Sequence, residues 1–163
     1  MTKMDFINTI CRPYITVGLD LFCLYDDHEL SITHEKFSHD QMAGWRVPWY
    51  TDINGKGSEY NLPGAIPLTI KDSLGKLDHK YESHKQHHTS ITYFTGLINK
   101  EELSVYDPII PVVGYDCNDT YIIFDGNHRV AASYFIKKPT ELTVMLVASK
   151  KMKNISHDLK YHP

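Results

Sequence analysis

Tyr121-Ile-Ile-Phe-Asp125-Gly-Asn-His-Arg129-Val-Ala-Ala-Ser-Tyr-Phe135-Ile-Lys-Lys138 decides how the rest of this chain is read. Tyr121 to Phe124 is a β-branched and aromatic run, the pattern of a buried strand. Val130, Ala131, Tyr134 and Phe135 then recur at the spacing of a helix face, so the chain passes from strand to helix at Asp125-Gly126-Asn127. Gly126 allows a positive φ or a close backbone approach, and the amides after it are the unpaired donors of a helix's first turn. Such donors favour an anion, and Arg129 adds a planar fork that matches phosphate or carboxylate. The turn Gly126 to Arg129 therefore reads as an anion site, set against the plainer reading in which Asp125 or Asn127 only caps the helix.

Phe124-Asp-Gly-Asn-His-Arg-Val-Ala-Ala132 resembles the signature of the ParB/sulfiredoxin-like superfamily, a Gly-x-His/Arg-Arg-x-x-Ala turn between a strand and a helix. Tyr106 to Val113 resembles the strand before that signature, and Leu142 to Val147 the strand after its helix, so the likeness covers roughly Leu97 to Ser149. The resemblance implies an α+β fold, a single domain over residues 1–149 with a small mixed sheet and a helix after the Gly-x-His-Arg turn. Residues 150–163 are expected to be a loose basic tail.

Composition sets the bounds. The 163 residues suit one domain with a sizeable core, and a net charge of −3 argues against a surface built throughout to neutralise nucleic acid. A local basic patch such as Lys150-Lys-Met-Lys153 stays compatible with a nucleic-acid or acidic partner. Cys11, Cys23 and Cys117 lie in no metal spacing, and their odd number suits a reducing compartment. With no run of membrane-span length and no secretory leader pattern, the expected location is the cytoplasm, with no membrane partner.

Read in order, Met4 to Ile10 is a short helix stopped by Pro13, and Tyr14 to Tyr25 is a strand with a bend at Gly18. Asp26 to Glu29 is a polar turn, and Ser31 to Met42 carries mixed signals and takes no assignment. Gly44 to Tyr50 holds both tryptophans. Trp45 and Trp49 read first as packing residues, with a base stacked on Trp45 beside Arg46 as the functional alternative. Asn54-Gly55 signals a hairpin. Gly55-Lys-Gly-Ser58 lacks the spacing of a P-loop. A short strand is expected around Leu68 to Ile70. Leu77 to Lys85 is an exposed helix or loop, and Ile91 to Leu103 a helix with Ile91, Phe94, Leu97 and Ile98 on one face. His79, His84, His87 and His88 crowd this stretch. His84 and His88 have the spacing of two metal ligands, but no acid or Cys completes a first shell, so a solvated helix is expected and no metal ligand is assigned.

Members of the superfamily do different chemistry at the same turn. Sulfiredoxins place a nucleophilic Cys between the Gly and the His; here that position is Asn127, whose amide is no nucleophile. Chromosome-partitioning members carry a helix-turn-helix domain beyond the signature, for which the residues after this turn leave no room. What the resemblance leaves is a nucleotide or another phosphate-bearing ligand held by Gly126, Asn127, His128 and Arg129, with Mg²⁺ and ATP or another nucleotide as the implied cofactors. The leading expectation is phosphoryl transfer or phosphate-ester hydrolysis, by a phosphotransferase, NTPase or nuclease, with His128 and Asp125 as the catalytic candidates. Asp125 would orient His128 or meet the metal. His128 would act on the phosphate, or else pack inward and fix the turn. The alternative is a non-catalytic regulator that binds a nucleotide or a protein.

Overall fold

The structure, a computed structural model, describes residues 2–8, 20–100, 110–115, 120–123, 125–137, 141–149 and 151. Thr2 opens α1 (Lys3–Phe6) with a capping box: its hydroxyl accepts from the Asp5 amide at 3.2 Å while the Asp5 carboxylate accepts from its own amide at 3.1 Å. Ile10 and Pro13, at the expected end of this helix, lie outside the described residues. Leu21 to Tyr25, the continuously apolar end of the expected strand, belongs instead to a helix, α2 (Leu21–Asp26). The cause is Asp20, whose carboxylate accepts from both Phe22 N and Cys23 N at 3.1 Å; this cap decides for helix in a short apolar run that periodicity alone does not assign. The rest of that expected strand, from Tyr14 to Leu19, lies outside the described residues.

The stretch without a sequence assignment becomes β1 (Ser31–Ser38) and the single turn α3 (His39–Met42), separated by a second capping box at Ser38. After it come β2 (Arg46–Thr51), β3 (Gly57–Ser58) and β4 (Ile66–Thr69). Gly55, at φ 76°, makes the expected turn between β2 and β3, where Asp52 accepts from the Asn54 and Lys56 amides at 2.8 and 2.9 Å. The long helix α4 (Glu82–Asn99) starts well before Ile91, and Leu77 and His84 are buried rather than exposed. Thr89, Thr92 and Thr95 donate their hydroxyls to carbonyls four residues back at 2.8–2.9 Å, which satisfies these polar groups within the helix itself. The C-terminal portion supplies β5 (Ile110–Tyr115), β6 (Thr120–Ile123), α5 (Asn127–Ile136) and β7 (Glu141–Ala148).

The seven described strands join one mixed sheet, in the order β1-β7-β5-β6-β2-β3, with β4 on the other edge of β2. β5 runs parallel to β7 and antiparallel to β6; β2 runs parallel to β6. The N-terminal portion thus completes both ends of a sheet whose centre is the signature half. Alternation along the strands divides the interior. Val144, Leu146 and Ile123 face a core shared with α4 and α5, whereas Met145, Val147 and Ile122 face Phe6, Ile7 and Leu24 from α1 and α2. Both faces are covered, so β7 needs an unbroken apolar run, and each such side chain contributes about 1.5–3 kcal/mol of burial. Val130, Ala131 and Ala132 of α5 are wholly buried, and the small alanines let α5 lie close to α4. His39 and Ser133, both buried, meet at 2.5 Å and tie α3 to α5. Among the described residues no helix is long and apolar enough to cross a membrane. The chain is a mixed α+β protein.

Candidate functional site

β6, which lies between β5 and β2 in the sheet, precedes Asp125 and Gly126 in the chain. Gly126 sits at φ 75°, ψ 5°, a left-handed conformation that a residue with a Cβ would adopt only at a cost. The Asp125 carboxylate accepts from the Gly126 amide at 2.8 Å. The first bond of α5 runs from Val130 N to Gly126 O at 2.9 Å, and no side chain among the described residues caps the helix. The amides of Asn127, His128 and Arg129 therefore precede the first helical bond, in the position that suits an anion. Asn127 is buried; Asp125, His128 and Arg129 are half-buried. Gly126 thus stands at the N-cap position, and neither Asp125 nor Asn127 caps the helix.

His128 reaches across to α4. Its Nε2 lies 3.0 Å from His87 Nδ1. Both imidazoles stack on Trp49 of β2, His87 at 4.6 Å and His128 at 5.0 Å between ring centroids, with interplanar angles of 22° and 23°. Their own centroids are 5.2 Å apart, so they lie side by side on one face of the indole. Trp49 is a core residue, 2 % exposed, and forms the floor of the pair. Burial lowers both imidazoles to about 4; the charge of His128 and then of His84 adds to the effect at His87, while the Asp125 carboxylate opposes it at His128. Near neutral pH the pair is uncharged.

A second layer fixes the start of α4. The Asp78 carboxylate accepts from the Gly57 and Lys80 amides, each at 2.9 Å, which holds it below the usual carboxylate range. The Asp78 amide in turn donates to His84 Nδ1 at 2.9 Å. His84 therefore carries its proton on Nε2, a buried atom with no hydrogen-bond partner among the described residues, and burial lowers its pKa. Tyr81, the N-cap residue of α4, donates its hydroxyl to Glu59 and packs over Gly57, where an added Cβ would lie 2.2 Å from the Tyr81 ring.

Of the residues proposed from sequence, Asp125, Gly126, Asn127, His128 and Arg129 form one contiguous turn. Trp45 belongs to the core, against Phe37 and Tyr121 at 4.7 Å each, so its face is occupied by protein rather than open to a base. Arg46 is half-buried in β2, its backbone paired with Ile122 and Thr69. His84 and His88 are not brought together as ligands: His84 is locked by Asp78, and His88 lies edge-on to His79 at 4.7 Å. Sequence reasoning passed over His87. Its signal was the three-residue step from His84, which puts both imidazoles on one side of α4, but nothing in the sequence says that this side faces the signature turn. Among the described residues no three His, Cys, Asp or Glu side chains converge on a point. No protein-family model, curated protein or solved structure matches the chain.

Proposed function

We propose that the chain is a ParB/sulfiredoxin-like protein that binds a nucleotide or another phosphate-bearing ligand at Gly126 to Arg129, and that His128 moves a proton there during phosphoryl transfer or phosphate-ester hydrolysis. The observation that carries this reading is the half-buried His128, placed at an uncapped helix start beside Arg129 and hydrogen-bonded to His87. The amides and Arg129 would hold the phosphate oxygens, and an uncharged imidazole is the form that accepts a proton from an attacking water or hydroxyl. A metal centre built from protein side chains alone does not fit these residues. Mg²⁺ arriving with nucleotide phosphates, met by a carboxylate such as Asp125, does, since Mg²⁺ commonly takes only one or two protein ligands. Thiol chemistry is not part of the proposal: Asn127 stands where a sulfiredoxin has its Cys, and Cys23 packs against the core on the opposite face of the sheet.

A thermal-shift screen of nucleotides with and without Mg²⁺ tests binding. Arg129→Ala should then weaken the ligand about tenfold or more, the loss expected for a charge-assisted bidentate contact. His128→Asn should lower turnover by about 10²-fold with binding retained. Unchanged nucleotide affinity in folded Arg129→Ala would remove the anion site, and binding without turnover in the native protein would make it a regulator.

A further inference from the structure

We propose that His87 and His128 form a single proton relay, in which a proton taken up at the outer nitrogen of one ring shifts the shared proton and releases another from the outer nitrogen of the other ring. The inference rests on the reading of His128 as the residue that moves a proton, and it brings His87 into that role as its partner. The geometry defines the exchange. His87 Nδ1 and His128 Nε2 face each other at 3.0 Å, so one hydrogen lies between them. Two neutral imidazoles carry two N–H groups in total. Of the two outer nitrogens, His128 Nδ1 and His87 Nε2, one therefore bears hydrogen and the other is bare, and the shared proton decides which.

In one arrangement His128 Nε2–H donates to His87 Nδ1, His128 Nδ1 is bare and His87 Nε2 is protonated. A proton from the nucleophile's O–H bond forms a new bond at His128 Nδ1. The proton on His128 Nε2 crosses to His87 Nδ1, and the proton on His87 Nε2 leaves to solvent. Three N–H or O–H bonds break and three form, and the pair is again neutral in the opposite arrangement. The return of a proton to the leaving group reverses the steps.

The surroundings favour such an exchange over retention of a charge on one ring. Burial holds both imidazoles near 4, and His87 is further disfavoured as a cation by His128 and His84, with Asp125 the one carboxylate opposing this at His128. A relay discharges the incoming proton instead of storing it. Trp49 holds both rings on one face, so neither has to turn for the proton to cross. His84 provides the contrast: its Nδ1 accepts from the Asp78 amide, a donor that cannot give up its proton, so this ring is locked in the Nε2–H form.

The test is a ¹⁵N-histidine two-bond ¹H–¹⁵N correlation spectrum of the full chain at pH 7, with His84 as the locked internal standard. Both rings of the pair should be neutral, and the protonated fractions of His128 Nδ1 and His87 Nε2 should sum to one. His87→Phe, which keeps a ring over Trp49 without a nitrogen, should change the tautomer balance of His128. If that variant does not fold, His87→Gln, which can hold a hydrogen bond but pass no proton, should lock His128 in one form. An imidazolium in the native pair, outer nitrogens that do not complement each other, or a His128 balance indifferent to a folded substitution at His87 would overturn the relay. The spectra need no ligand: complementary tautomers without inorganic phosphate binding would leave the relay and remove the phosphate reading, and phosphate binding with independent tautomers would do the reverse.

Discussion

Burial of His87 and His128 sets their protonation against the stability of the molecule. In the unfolded chain each binds a proton near its ordinary 6.5, whereas the folded chain resists it down to about 4. Between those values the unfolded state holds more protons, so stability is complete above pH 6.5 and is lost as pH falls toward 4. Asp5, Asp52 and Asp78 are lowered from 3.8, so their contributions fade only below that value and leave the window above pH 4.5 to the imidazoles. With the linkage of the two partly exposed rings halved for solvent screening, a fall in Tm of roughly 5–10 °C between about pH 7 and pH 4.5 is expected, at about 2–4 °C per kcal/mol for a chain of this size. His87→Phe should flatten the profile, and calorimetry across this range checks both. The other residue under strain is Lys137, which ends α5 at φ 52°. Lys137→Gly should raise Tm by about 2–4 °C, since glycine removes a cost of about 1 kcal/mol at a left-handed helix end. Residue types announced the anion turn, because Gly, His and Arg in sequence have a joint chemistry. They did not announce His87 or Trp49, because a stacking contact between α4, β2 and α5 leaves no trace in any one of those segments.

At the scale of elements, the accuracy of the sequence reading followed how each element is stabilised. β6, α5 and β7 were legible because an apolar run and a helical stripe state their burial directly, and Asp125-Gly126-Asn127 marks the turn between strand and helix. The N-terminal part of α4 was not, since His84, which the structure buries, reads as solvent-facing until its partner Asp78 is known. α2 misled through a short continuous apolar run, which reads equally as strand or helix until the Asp20 cap decides it. The anchorage of α4 exposes a dependence of the site on a distant strand. Gly57 of β3 lies beneath Tyr81 and donates to Asp78, and Asp78 in turn holds His84, one turn before His87. Gly57→Ala would force its methyl into the Tyr81 ring, a clash with the base of a side chain rather than a flexible end. A destabilisation of about 1–3 kcal/mol is expected, together with a disturbed ¹⁵N signature for His84. A Tm within a degree of the native protein's would show that Tyr81 is not fixed there.

The whole molecule divides its labour between the two faces of the sheet. α1 and α2 close one core, with Cys23 at its margin; α4 and α5 close the other and carry the imidazoles. The order of strands could not be read from the chain. β1 reaches β7 from far away in sequence, and β2 takes three partners, arrangements that depend on complementary edges rather than on local propensity. The strands of the N-terminal portion occupy both ends of the sheet.

The stacking of Trp49 on two imidazoles gives the protein a light signal of its own. An excited indole transfers an electron readily to an imidazolium in contact with it and far less readily to a neutral imidazole, so Trp49 emission should report whether a charge has arrived at the pair. Trp45, the other tryptophan of the chain, packs against Phe37 and Tyr121 and supplies a steady background. Emission from the folded protein should dim as acid approaches pH 4, and Trp49→Phe should abolish the dimming while leaving the Trp45 emission in place. Dimming that survives in Trp49→Phe would locate the quencher elsewhere. Where the signal does arise at Trp49, proton arrival and ligand capture can be followed by fluorescence in the unlabelled chain, whatever substrate the turn proves to hold.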